Sequence, residues 1–431
     1  MKFTDQFRTG WRNLSRQKLR TTLTIFAIVI GAVSVTVMLS LVTSAKSFLV
    51  SSAEKTGMDK RVIVTGTQGL DYRESSWNWP DGSGKKIDES TLEAVSKIDG
   101  VESATLYLAA GAFESLKLGN TELTLKNVNM EGYTPNGTVK HIMVAGEELS
   151  DTNKDKGILV SSGVAADLGF KGNEAALVGK EVTMAYRKDW GIPKGPETST
   201  IVGVTMSQDG EIISTELERL HGFLQFEREE GSQNGKPMKS IEDQVARNGY
   251  NSVWVSIKDK KMIDPYLTQV KALGLGAAAG KEEVDAQATA FTIIGAVLGG
   301  IGGIALLVAA IGVINTMVMA TLERTREIGI MRAIGATKRT VRRLFRVEAG
   351  VLGFMGGLFG VAISFGFAIG LNSILNQQLA DSGIADRNIV SISPVIALVV
   401  ILITTLIGML AGSLPARRAA NMDPVEALRY E

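Results

Sequence analysis

From Gln287 to Ala320 the chain runs 34 residues without a charged side chain. As a helix that stretch is about 50 Å long at ~1.5 Å per residue, against a hydrocarbon core of ~30 Å. Such a length accommodates one membrane crossing and leaves a surplus to project as a stalk. Three further apolar segments have the ~20 residues a span needs: Thr21 to Val42, a stretch within Ala349 to Leu371, and Pro394 to Leu414. In the longest run, Gly295, Gly299, Gly300, Gly302 and Gly303 offer small-residue faces to another helix. Asn315, further along it, either adds an interhelical hydrogen bond or marks the interface layer.

Between the second and third apolar segments, Thr321 to Val341 reads T-L-E-R-T-R-E-I-G-I-M-R-A-I-G-A-T-K-R-T-V. Extended to Arg346 it holds eight basic residues against two acids, Glu323 and Glu327. Short basic loops flanked by spans are retained on the cytoplasmic side. Charge alone does not account for the apolar pattern: Ile328, Met331 and Ile334 recur at three-residue spacing, which predicts a ridge on an amphipathic helix. Gly329 punctuates that helix, and Gly335 is expected to end it with a positive φ. An apolar ridge flanked by Glu323, Arg324, Arg326, Glu327 and Arg332 is suited to docking in a groove on another protein. Six basic residues precede the first span and only Arg387 lies in the loop before the fourth, so both termini are expected inside.

Over residues 46–290 there are 28 Lys and Arg against 36 Asp and Glu, and over the remainder 18 against 9. An acidic central block with basic flanks fits a protein divided across a membrane and argues against a nucleic-acid partner. Cysteine is absent, and the two histidines, His141 and His221, lack ligand spacing, so thiol chemistry and a zinc site are not expected. The central block has soluble-domain texture. Asp88 to Ile98 reads as a helix, Val101 to Leu108 and Thr121 to Met130 as strands, and Gly157 to Gly169 as strand, turn and helix. Trp77 and Trp79 lie in a polar elaboration and are either a candidate partner patch or a pinned loop. The stretch L-G-L-G-A-A-A-G-K-E (Leu273 to Glu282) fails as a phosphate loop, because five residues separate Gly274 from Gly280 and Glu282 follows the lysine. No catalytic, cofactor or metal constellation is assembled elsewhere. Glu348, at the start of the third span, is expected to be ion-paired with Arg342, Arg343 or Arg346.

The run E-R-T-R-E-I-G-I-M-R-A-I-G-A-T resembles the coupling helix of MacB/FtsX-type ABC-transporter permeases. The C-terminal P-A-R-R-A-A-N-M-D-P-V-E-A-L-R-Y-E resembles the tail of the same family. The resemblance implies four transmembrane helices plus an α+β extracytoplasmic domain, with a βαβ-rich lower lobe and an inserted mostly-β lobe. It also implies a separate ATPase dimer that binds ATP and Mg, a second permease copy, an adaptor or membrane-fusion protein outside, and efflux of a peptide, drug-like or lipidic substrate from the bacterial plasma membrane. An FtsX-like regulator of a cell-wall hydrolase and a LolC/LolE-like lipoprotein-release permease share the topology. The expected division is a cytoplasmic amphipathic helix at 1–20, a first span at 21–45, the extracytoplasmic domain at 46–285, and a second span with stalk at 286–320. The coupling segment follows at 321–343, then a third span at 344–375, an outer loop at 376–393, a fourth span at 394–414 and a tail at 415–431.

Overall fold

The computed structural model describes residues 18–76, 84–110, 113–124, 129–186, 196–206, 212–233, 236–379 and 390–422. Trp77, Trp79, nearly all of the expected N-terminal amphipathic helix, the loop around Arg387 and the last nine residues lie outside them. The chain divides into two compact units. One is Met1–Ser47, Thr289–Ile374 and Asn388–Glu431, and the other is Phe48–Ala288 with Leu375–Arg387.

The first unit is helical. Among the described residues, four helices are long and apolar enough to cross a membrane: Lys18–Thr56, Gly280–Glu323, Lys338–Leu379 and Pro394–Ala411. The first continues past residue 45 because no helix breaker intervenes before Gly57, whose φ of 70° stops it. Ser393 caps the fourth, its hydroxyl accepting from Val395 N–H, with Pro394 in the first turn.

Glycines set how closely these helices approach. Gly295 faces Val42, Gly299 faces Leu39, Gly302 faces Val35, and Gly31 of the first helix faces Leu306 of the second, an antiparallel seam. Gly356 and Gly360 of the third helix receive Ile28 and Ala32 of the first. Gly350, Gly353 and Gly357 meet Met409 and Thr404 of the fourth, and Gly408 and Gly412 meet Ala349 in return. Gly303 has open space where a Cβ would be, and Asn315 is exposed. Taking Gly295 as zero at 100° per residue, Gly299 lies at about 40°, Gly303 at about 80° and Gly302 at about −20°, so Gly302 stays nearer the seam and Gly303 rotates out of it.

The second unit is built on one mixed sheet. Its strands are β1 (Arg61–Thr65), β2 (Val101–Ala110), β3 (Phe113–Leu118), β4 (Thr121–Thr124), β5 (Asn129–Tyr133), β6 (Met143–Gly146), β7 (Gly157–Ser161), β8 (Glu181–Tyr186), β9 (Glu197–Thr205), β10 (Ile212–Glu216), β13 (Ser252–Ile257) and β14 (Gly276–Ala279). A separate hairpin is formed by β11 (Gln225–Gln233) and β12 (Lys236–Asp243). The order is β14-β1-β13-β2-β5-β10-β7-β9-β8-β3-β4, with β6 on β9. The first four strands, with helices Glu89–Ser96 after β1 and Ile263–Ala272 after β13, make the βαββαβ arrangement of a split βαβ unit. The segment between β2 and β13 is inserted: β3 to β10 extend the same sheet from β5 outward, and β11 and β12 form the separate hairpin. Asp88 caps the first of these helices by accepting from Thr91 N–H at 3.0 Å. The run Thr121 to Met130 is not one strand: β4 lies at the edge beside β3, whereas β5 lies mid-sheet between β2 and β10.

One face of the sheet buries Val62, Leu106, Val160 and Val255 in the principal core, together with Tyr266 of helix Ile263–Ala272. The other carries Ile63, Tyr107, Tyr133, Leu159 and Trp254. Alternation along each strand produces both faces.

Candidate functional site

The basic segment after the second membrane helix folds as a nine-residue helix, Thr325–Ala333. The chain bends at Arg324, whose φ of −108° and ψ of 19° leave the helical region. The far end is a Schellman turn: Gly335 has φ 101°, its N–H donates to Arg332 O at 3.1 Å, and Ala336 N–H donates to Met331 O at 2.9 Å. Thr337 then caps the third membrane helix, its hydroxyl accepting from Thr340 N–H at 3.2 Å.

The helix is anchored on its inner side. Ile328 is 1% exposed and packs among Met317, Val341, Phe345, Ala416 and Ala419, with Met331 partly buried against the same cluster. The alanines belong to helix Ser413–Ala420, so the two sequence motifs, about ninety residues apart, form one packed unit. Arg332 donates to Ala420 O at the C-terminal end of that helix, where a cation is favoured. Arg324 donates to Glu348 Oε1 at 3.1 Å, and the carboxylate is 2% exposed. Glu348 is thus ion-paired, but with Arg324 and not with the cations beside it in sequence. Arg342, Arg343 and Arg346 precede it by six, five and two positions, and only three- or four-residue spacing brings side chains together on a helix.

The expected docking ridge does not form. Ile328 turns inward, Met331 is half-buried, and Ile334 follows the last helical residue at 80% exposure. Three-residue steps drift by about 60° each, so the three side chains cannot share one outward line. The outward face instead carries Arg326, Glu327, Ile330 (47% exposed), Ala333 and Ile334. Gly329 is buried on the inner side, and Glu323 is exposed just before the bend. What the site offers is a small apolar patch with charges of both signs at its edge, on a helix held at three points. The failed phosphate loop is β14 followed by the start of the second membrane helix.

A buried polar ladder on the second face of the sheet is not foreshadowed by any motif. Tyr107 O–H donates to Glu131 Oε2 at 2.7 Å, Ser214 donates to Glu131 Oε1, and His141 Nε2 lies 3.0 Å from Glu131 Oε1. His141 Nδ1 lies 2.7 Å from Glu148 Oε1, and the Tyr107 ring stacks on Trp254, which also has the Arg61 guanidinium 4.6 Å from its ring centre. Burial alone would lower the His141 pKa, but hydrogen bonds to Glu131 and Glu148 outweigh it and raise the value to about 9. Burial pushes Glu131 up, and its bonds with His141, Ser214 and Tyr107 more than reverse that. Each of these groups has its partner inside the domain, which marks a stabilising network.

The family model of the MacB-like periplasmic core domain matches residues 21–273, and that of the FtsX-like permease C-terminal region matches residues 299–424. An uncharacterized ABC transporter permease of Bacillus subtilis (strain 168), YknZ, is 24% identical over 100% of both chains. A probable syringafactin export ATP-binding/permease protein of Pseudomonas syringae pv. tomato, SyfD, is 26% identical over 99% of this chain and 59% of its own. A macrolide export ATP-binding/permease protein, MacB, of a Shewanella species is 24% identical over 100% of this chain and 61% of its own. The chain therefore spans about three fifths of those last two relatives. Among solved structures, the extracellular domain of YknZ aligns at TM-score 0.32 and 12% identity, covering 49% of this chain and 91% of that one. The periplasmic region of MacB from Actinobacillus actinomycetemcomitans aligns at TM-score 0.34 and 12% identity, covering 55% and 96%.

Proposed function

The chain belongs to the MacB/FtsX-type ABC-transporter permeases, and on that premise we propose that it converts ATP-driven motion of a separate ATPase into movement of its sheet domain, for export. The observation that carries this reading is the anchored helix Thr325–Ala333. Its outward patch of Ile330, Ala333 and Ile334 is apolar, while Arg324–Glu348 and Arg332–Ala420 tie it to the third membrane helix and the tail helix. A push on such a patch is passed on, because the helix has no slack on its inner face. Glycine-mediated contacts then let the long helices shift between discrete packings.

In this reading the patch and both termini face the cytoplasm, the sheet domain lies outside the plasma membrane, and two permease copies work with two ATPase subunits, which hold ATP and Mg. An adaptor outside completes the path. The names of relatives that export syringafactin and macrolides support a peptide, drug-like or lipidic cargo for this chain. Labelling tests the orientation: since the sequence lacks cysteine, Ser232→Cys should react with an impermeant reagent in intact cells and Thr337→Cys should not. For the function, the permease in nanodiscs should raise the turnover of an ABC ATPase encoded beside it, and cargo should raise it further. A permease that leaves ATPase turnover unchanged would count against the proposal.

A further inference from the structure

The third membrane helix carries exposed cations in register with an exposed apolar stripe. Arg339, Arg343 and Arg346 are exposed in its first three turns, and at 100° per residue all three fall within an arc of about 60°. Arg342, between them in sequence, turns aside and is half-buried. Phe354, Leu358 and Phe365 are exposed further down the helix, and they continue the line of Arg343 to within about 60°. No carboxylate reaches any of the three arginines among the described residues. Retention of positive charge on one side of a membrane accounts for their number. It does not account for their alignment with one another, or for that of Arg343 with the apolar stripe.

We propose that this face binds an anionic phospholipid, its phosphate held by Arg339, Arg343 and Arg346 and its acyl chains lying along Phe354 and Leu358. Guanidinium groups suit the phosphate because their paired N–H donors match its oxygens. Phe354 follows Arg346 by eight residues and Arg343 by eleven, about 12–17 Å along the axis. Measured from a phosphate in the headgroup layer, that depth lies within the hydrocarbon. A soluble protein that met the arginines could not follow the stripe to Phe354, whereas an acyl chain does. Backbone N–H groups at the start of the helix are not needed, since Thr337 already caps it. The inference requires the helix to cross a membrane, and it is independent of the ATPase contact.

The test uses the full chain in detergent with equimolar phosphatidylglycerol and phosphatidylcholine, bound lipid being counted by native mass spectrometry. Wild type should retain phosphatidylglycerol preferentially. Arg343→Gln should lower that preference about fivefold, and the triple variant Arg339→Gln/Arg343→Gln/Arg346→Gln on the order of 100-fold, from the contribution of each cation near an anionic surface. Arg343→Lys, which keeps the charge and loses the paired donors, should fall between wild type and Arg343→Gln. The control Lys258→Gln/Lys271→Gln, two exposed cations of the sheet domain, should leave it unchanged. An unchanged preference in the triple variant overturns the proposal, as does an equal loss in the control. Displacement of the lipid by ~10 mM inorganic phosphate would mark a free-phosphate site, and loss of ATPase binding with lipid preference intact would assign the arginines to a protein partner. Each of those two results also overturns it.

Discussion

Replacing Gly408 with Ala tests whether the glycines hold the third and fourth membrane helices in contact. A Cβ built at Gly408 lies 2.5 Å from Ala349 O and 3.1 Å from Gly353 Cα, about 0.9 Å short of ordinary contact with the oxygen. Both obstacles are backbone, so relief requires the helices to separate. Overpacking of this kind costs about 1–3 kcal/mol, set against a gain of up to ~1 kcal/mol from the better helix propensity of alanine. Gly370→Ala, where nothing lies within 4 Å of the new Cβ, receives the gain alone. The two variants should therefore differ by about the full overpacking cost, with Gly408→Ala the less stable. Ser364, fully buried in the third helix, provides the probe: Ser364→Cys adds the chain's single thiol, and its reaction with a fluorogenic maleimide during heating reports opening of the helical unit. Gly408→Ala should melt several degrees below Gly370→Ala. Equal melting would refute the claim that these glycines set the distance between the two helices.

Arg324→Leu should destabilise the helical unit by about 3–5 kcal/mol, because it leaves the Glu348 carboxylate buried without its cation; Arg324→Leu/Glu348→Leu should recover much of the loss in the same thiol assay. Residues 46–285 expressed alone should be soluble and folded, with stability that depends on pH through His141. Its pKa rises on folding from 6.5 to about 9, so its contribution is fully present below pH 6.5 and is lost as pH climbs through 9. That amounts to about 3 kcal/mol. Thermal melting followed by circular dichroism should fall over that window, and His141→Gln should flatten the dependence. Gly335→Val should shorten or unwind the end of helix Thr325–Ala333, since φ of 101° resists a β-branched residue; lowered ATPase binding at normal expression is the readout.

Much of the helical unit was legible because an uncharged run of 34 residues admits few alternatives. Which glycine faces a neighbour was less so. Gly302 and Gly303 are adjacent in sequence, yet only one meets the first helix, since that depends on where the neighbour lies. The basic segment was recognised as a helix ending at Gly335, and the turn chemistry there is local. The direction of its faces was misjudged, because the tail helix that receives Ile328 comes almost ninety residues later. Glu348 repeats the point, its partner Arg324 lying across a helix boundary. In the sheet domain, alternation marked the strands but not their neighbours, so β4 and β5 were joined. The ladder from Tyr107 through Glu131 to Glu148 depends on long-range pairing that no local pattern contains.

In the proposed docking mode Ile330, Ala333 and Ile334, and not Ile328, meet the ATPase. The affinity of the nanodisc-embedded chain for its ATPase, measured with Ile330→Asp, distinguishes the two faces. An unpaired carboxylate forced into an apolar groove costs several kcal/mol, which at ~1.4 kcal/mol per tenfold is a loss of two or more decades. The variant should express and melt like wild type, because the side chain is exposed in the free permease. Ile328→Ala should do the reverse, destabilising the helical unit while leaving the docking patch in place. An Ile330→Asp chain that binds and stimulates the ATPase as wild type does would contradict the account.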